Sequence, residues 1–361
     1  MSRPLTDGKR EFNWAALAQV SIYGLALLLA KLVGLATLPI FTSFLSPADY
    51  GRLEVLQTLA NLVSLVLAFG LTEALFKFVA RETDPGRRQE LLGTIWTLAL
   101  AGAAVSAVVL QILAPWIHAV LPGGVALLDT RIILASLSVG ALILVPLAYL
   151  RMTDRPWAYF FGSAGRAAIQ ALLAIALLSA GWGLTGVLIA GLICAMGLAA
   201  WLCVFMLRQV RTTFRRQDAG AMLHFGGTIV LAGGAIFIVD TFDRWLLAGA
   251  IGPAELGRYA VAAKVGVLVS FALQPFLMWW LPRRFAVLNE PGGLVQSARM
   301  SELAIVLTCL AVVATASGAP FLIALMTPAA YHGAIVYVPA VAVLAALNSA
   351  SHLVDTGCLR P

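Results

Sequence analysis

The chain has 361 residues, 61% apolar and 11% charged, where an ordinary soluble domain has about 45–50% and about 25%. That balance excludes a soluble globular protein. The net charge of +7, from 24 Lys and Arg against 17 Asp and Glu, is spread over short loops rather than gathered into a nucleic-acid-binding stripe.

At ~20 residues per crossing of a ~30 Å hydrocarbon core, the apolar runs suffice for about ten transmembrane helices. In chain order they are predicted at 14–45, 52–80, 91–114, 130–151, 157–180, 184–207, 221–250, 257–282, 301–326 and 334–355. Short connections leave no room for an extramembrane catalytic domain, so the expectation is an all-α integral membrane protein that is not an enzyme. Arg3, Lys9 and Arg10 precede the first apolar run, which is too long for a cleaved signal. Sixteen Lys and Arg fall on that side of the predicted helices, against Arg52, Arg131 and Arg258 on the other. The positive-inside rule then puts both termini in the cytoplasm. Cys194 and Cys203, nine apart, fall on opposite faces of a helix and make no metal pair.

The chain repeats itself. Pro47-Ala48-Asp49-Tyr50-Gly51-Arg52-Leu53 returns as Pro253-Ala254-Glu255-Leu256-Gly257-Arg258-Tyr259, and Ala114-Pro115-Trp116-Ile117 as Ala319-Pro320-Phe321-Leu322. Two matches at nearly one shift, at equivalent places in the hydropathy pattern, argue for a duplicated unit. Six helices precede the second copy, so the repeats are parallel and related by a pseudo-twofold axis along the membrane normal, as in transporters with the substrate site between two halves. The predicted organisation is a cytoplasmic N-terminus at 1–13, a six-helix bundle at 14–210, a basic cytoplasmic linker at 211–220 and a second bundle with four helices at 221–361. The second unit lacks counterparts of helices five and six, so the expectation is either self-association or a partner chain that completes it, or a truncated and weakly active product.

Polar groups within spans carry the chemistry, since each ionisable residue costs about 2.5–3.5 kcal/mol on insertion scales unless it meets water or a partner. Helix seven holds Asp240, Asp243 and Arg244 at i, i+3 and i+4, which puts all three on one face. Two readings stand: a self-neutralising ion pair, or a cavity wall that offers Arg244 to an anion. Lys31 has no carboxylate at i±3 or i±4 and either lines a cavity or pairs with another helix. Glu54, Gln57, Asn61 and Ser64 form a polar stripe on helix two, as interhelical glue or as a cavity wall. Lys77 and Arg283 sit near span ends as snorkelling anchors. Glu73 is most simply the i,i+4 partner of Lys77, with proton coupling as the alternative. Arg166 and Lys264 lie deeper. Pro39 and Pro275 are expected to bend their helices.

A first helix ending in Leu38-Pro39-Ile40, followed by Phe44-Leu45-Ser46-Pro47-Ala48-Asp49-Tyr50-Gly51, resembles the opening of O-antigen-type (Wzx-like) polysaccharide flippases. These belong to the multidrug/oligosaccharidyl-lipid/polysaccharide exporter superfamily. Asp243-Arg244-Trp245-Leu246-Leu247-Ala248-Gly249, then Gly257-Arg258-Tyr259 and Lys264, is similar to that family's helix-seven and helix-eight signature. The resemblance implies a V-shaped pair of bundles in a bacterial inner membrane that carries an undecaprenyl-pyrophosphate-linked oligosaccharide between leaflets. It also implies a cationic lumen, for which Lys31, Arg244, Lys264 and Arg166 are the candidates. Glu54, Gln57, Asn61, Glu73, Asp240 and Asp243 are the candidates for lumen polarity or ion coupling. The expected partners are the lipid-linked glycan and membrane lipid. No GxxxxGK[ST] or HExxH pattern occurs, so no nucleotide, metal or other cofactor is expected. A cation-coupled multidrug exporter would share this fold. A membrane enzyme of glycan assembly would need a sizeable periplasmic catalytic loop, and the longest periplasmic connection, about 115–129, holds one Asp, one His and no Arg.

Overall fold

The computed structural model describes residues 14–68, 70–280, 283–288 and 291–358, with side chains placed for these except 14–21, 27, 30, 31, 239, 240, 285, 286 and 351–358. The predicted N-terminal segment 1–13 and the side chains of Lys31 and Asp240 therefore lie outside the described residues. All regular structure among the described residues is helical, the arrangement that satisfies every backbone group within its own segment in hydrocarbon. The helices are α1 (Trp14–Phe44), α2 (Pro47–Val79), α3 (Pro85–Val120), α4 (Leu127–Met152) and α5 (Pro156–Ser179). They continue as α6 (Gly183–Gln209), α7a (Arg216–Asp240), α7b (Asp243–Ile251), α8 (Pro253–Trp280), α9 (Gly293–Met326) and α10 (Val338–Cys358). A 3₁₀ segment, Ala329–Tyr337, leads into α10. Nine helices among the described residues are long and apolar enough to cross a membrane; α1 adds a shorter apolar stretch, Leu32–Phe44.

Helix starts are set by polar signals that hydropathy does not register. The Ser46 hydroxyl accepts from the Asp49 amide at 3.2 Å and donates to the Asp49 carboxylate at 2.7 Å, a capping arrangement with Pro47 at the first helical position. Asp84 accepts from the Arg87 amide at 2.8 Å with Pro85 following it, so α3 begins at 85 rather than 91. The linker is also shorter than expected, because α7a begins at Arg216 with Asp218 in its first turn, where the helix dipole favours an acid. The predicted fourth helix bends at Val139–Gly140.

The repeated motif is where the two copies meet. A Cβ on Gly51 would lie 1.8 Å from the Pro253 carbonyl oxygen, and one on Gly257 would lie 2.0 Å from the Pro47 carbonyl oxygen. The first turns of α2 and α8 thus cross backbone to backbone, each glycine seated on the other copy's proline. Arg52 pairs with Asp49 at 2.8 Å and donates to the Gly123 carbonyl at 3.3 Å. In the second copy Arg258 pairs with Glu255 and donates to the Ala330 carbonyl at 3.1 Å. Around this crossing Tyr50, Leu53, Leu56, Leu256, Val261 and Tyr331 form one continuous core, with the Tyr331 hydroxyl donating to the Leu45 carbonyl at 2.8 Å.

At the other end of α2, α7a lies against the first copy: a Cβ on Gly233 would meet Leu65 at 2.3 Å, and one on Gly70 would meet the Gly226 Cα at 2.8 Å. The segment before α7a is docked on α3. Thr97 donates to the Thr213 carbonyl at 3.0 Å, and Thr213 donates to the Glu90 carbonyl at 3.2 Å. Arg87 grips Asp218 bidentately at 2.5 and 2.9 Å, while Arg215 reaches Glu90 at 2.5 Å.

Candidate functional site

Glu54, Gln57 and Asn61 lie on one face of α2 at helical spacing and turn inward toward α7 and α8. With Thr241, Arg244 and Lys264 they line a cavity of about 290 Å³ between the two copies. Ser64, the last member of the predicted stripe, is not part of this wall. Glu54 is 6% exposed. Its Oε2 stands 3.5 Å from Arg244 Nε, and Asp243 Oδ1 stands 3.7 Å from Arg244 Nη1. These are ion pairs without close hydrogen-bond geometry. Asp243 Oδ2 accepts from the Tyr259 hydroxyl at 2.7 Å, and the Trp245 indole donates to the Val55 carbonyl at 3.2 Å. Two consecutive residues of α7b therefore hold α2, one by charge and one by a hydrogen bond. Lys264 Nζ lies 5.2 Å from the Tyr50 ring centroid, within cation–π range.

The expectation of one continuous helix carrying Asp240, Asp243 and Arg244 on a single face is corrected here. The helix breaks at Thr241 and Phe242, between α7a and α7b. Arg244 consequently looks across to Glu54 of the other copy as well as to its neighbour Asp243. The predicted Glu73–Lys77 pair is also absent among the described residues. A π-helical turn at Leu75–Val79 disturbs the i,i+4 register, and Lys77 Nζ sits instead 3.8 Å over the Phe225 ring. Glu73 is exposed and lines neither cavity described here. Arg283 stacks on Trp279 and donates to its carbonyl at 2.8 Å.

Arg166 is elsewhere. It lines a second cavity of about 320 Å³ bordered by residues of α1, α2, α4, α5 and α6, with Gln57, Ser136 and Gln170. Gln57 belongs to the walls of both cavities. Sequence reasoning missed Tyr259 and Trp245, whose roles depend on the fold. It also missed the contact role of Gly51 and Gly257, which their matching positions in the repeat signalled.

The class defined by these features is an all-helical, multi-pass membrane protein with charged residues lining an internal cavity between two repeated halves. The polysaccharide biosynthesis protein family matches residues 16–287, and the chain belongs to that family. No match is found among curated proteins. Among solved structures, the chain is similar to an inward-facing multidrug resistance MATE family transporter of the MOP superfamily. Identity is 16% and the TM-score 0.60, covering 94% of this chain and 83% of that one. It is also similar to a ligand complex of the MATE multidrug transporter DinF-BH, at 11% identity and TM-score 0.59, covering 99% and 87%. A MATE structure in complex with MaL6 matches at 14% identity and TM-score 0.59, covering 92% and 79%. At these identities the likeness describes the fold.

Proposed function

We propose that the protein is an exporter that moves an undecaprenyl-pyrophosphate-linked oligosaccharide from the cytoplasmic to the periplasmic leaflet of a bacterial inner membrane. The observation that carries this reading is the inter-copy cavity of Glu54, Gln57, Asn61, Arg244 and Lys264, in a chain of a polysaccharide biosynthesis family. A glycan needs many hydrogen-bond partners, a diphosphate needs cations, and the polyprenyl tail stays in lipid. A polar lumen open to the bilayer on one side meets all three needs.

Arg244 is held by Glu54 of the opposite copy, so an incoming anion competes with Glu54 for the guanidinium. Binding then loosens a contact that joins the halves, which is the differential interaction that alternating access requires. Trp245, hydrogen-bonded to α2 beside this pair, keeps the helices registered while the charge partner changes. Asp243 and Glu54 are the carboxylates placed to accept a coupling cation when Arg244 turns to substrate. The second reading, a cation-coupled multidrug exporter, is favoured by the fold of the solved structures above. Arg244 and Lys264 in the cavity wall oppose a cationic cargo.

The test measures membrane abundance and surface glycan together for Lys31→Ala, Arg244→Ala and Arg244→Lys. The exporter reading expects normal abundance with glycan lost for both alanine variants, and partial glycan for the lysine variant, which keeps charge without the planar fork. Normal glycan from either alanine variant at normal abundance contradicts the assignment of these cations.

A further inference from the structure

We propose that Arg166, Gln170 and Gln57 form a binding site for a phosphate or diphosphate group inside the first half of the chain, distinct from the ion-paired Arg244. The proposal rests on the exporter reading for the origin of the anion and deepens it by separating two kinds of cation. Arg244 faces Glu54 and Asp243, Lys264 lies against the Tyr50 ring and Lys77 against the Phe225 ring. Arg166 has no such partner among the described residues: it makes no ion pair, and its buried Nε has no hydrogen-bond acceptor. It stands near the middle of the 24-residue span Pro156–Ser179, where snorkelling to either surface is hardest.

The surroundings suit an anion rather than a missing structural partner. The cavity of about 320 Å³ has no carboxylate in its wall among the described residues. The hydroxyls of Ser136 and Thr37 already donate to the carbonyls of Ile133 and Gly34. The amides of Gln170 and Gln57, by contrast, make no hydrogen bond among the described residues. Gln170 follows Arg166 by four residues and so shares its helix face. Gln57 faces them from α2. A planar guanidinium fork with two amide groups is a donor set for phosphate oxygens. A π-helical turn, Phe161–Gly165, ends immediately before Arg166; its wider winding rotates the residues that follow it around the helix axis. Because Gln57 also lines the inter-copy cavity, the two compartments share a wall at this residue.

The experiment uses the purified full chain in detergent, with inorganic pyrophosphate and, separately, undecaprenyl diphosphate as probes. Thermal midpoint and calorimetric binding are read for the wild type, Arg166→Met and Gln170→Leu. Removing a half-buried cation with no ion-pair partner among the described residues relieves the apo protein, so Arg166→Met is expected to raise the ligand-free midpoint while weakening diphosphate binding at least ten-fold. Gln170→Leu, which keeps the cation, is expected to weaken binding several-fold and carries the test if Arg166→Met does not give monodisperse protein. Binding of both probes supports a site for the diphosphate itself, and binding of the lipid form alone supports a headgroup site. Wild-type binding by both variants, or no binding of either probe by the wild type, overturns the proposal. If the variants bind normally and glycan export persists, the site fails and the exporter reading stands. If no lipid-linked glycan is exported yet pyrophosphate binding depends on Arg166, the site stands and the exporter reading fails.

Discussion

Arg244 illustrates how much of a residue's role is set by its partners. In the sequence it is an arginine beside an aspartate on an apolar helix, and both an internal ion pair and a substrate cation fit that pattern. In the fold it bridges two copies of a repeat, with Glu54 at 3.5 Å and Asp243 at 3.7 Å. The Glu54 contact joins residues 190 positions apart in the chain and lies beyond any periodicity argument. A double-mutant cycle on Glu54→Gln and Arg244→Gln is expected to show coupling of about 1–3 kcal/mol, between the ranges for exposed and buried pairs. Thermal or denaturant unfolding in detergent measures it. Additive effects would mean that the pair does not hold the halves together.

The α2–α8 crossing is the element-scale counterpart of the repeat. Gly51 and Gly257 were visible as matching letters in two copies of one motif. Their physical requirement appears only when the helices cross with a carbonyl oxygen where each Cβ would be. Gly51→Ala or Gly257→Ala is therefore expected to reduce folded protein in the membrane severely. Gly102→Ala, on α3 with nothing within 4 Å of its added Cβ, is expected to be neutral or slightly stabilising. Size-exclusion profiles of fluorescently tagged protein distinguish these outcomes. At the other end, Asp218→Arg is expected to weaken the docking of the linker on α3. The swap Arg87→Asp with Asp218→Arg is expected to restore it in part, the small effect typical of exposed ion pairs. Crossings were legible because hydropathy reports burial in lipid directly. The break at Thr241–Phe242, the π turns and the polar first turn of α3 were not, since each depends on local hydrogen bonding inside or beside an apolar run.

On the scale of the whole molecule, the arginine asymmetry and the repeat make one testable topology. The Arg52 and Arg258 crossing lies at the sparsely charged end, and the Arg87, Arg215 and Asp218 network at the basic one. Reporter fusions after residues 85, 153, 213 and 290 are expected to report cytoplasm, and those after 122 and 253 periplasm. A periplasmic signal at 213 would reverse the assignment of the network. The polar wall of α2 was readable as a stripe, because three of its residues keep helical spacing. The separation of Arg166 from Arg244 into two compartments was not, since it follows from which helices surround each guanidinium.

The central claim is that this chain binds and moves an anionic, lipid-linked glycan. Mass spectrometry of lipids that copurify with the detergent-extracted protein tests it most directly. The account predicts a polyprenyl diphosphate carrying sugars, retained by the wild type and depleted from both Arg244→Ala and Arg166→Met. Copurification of phospholipid alone, unchanged between the wild type and these variants, would contradict it.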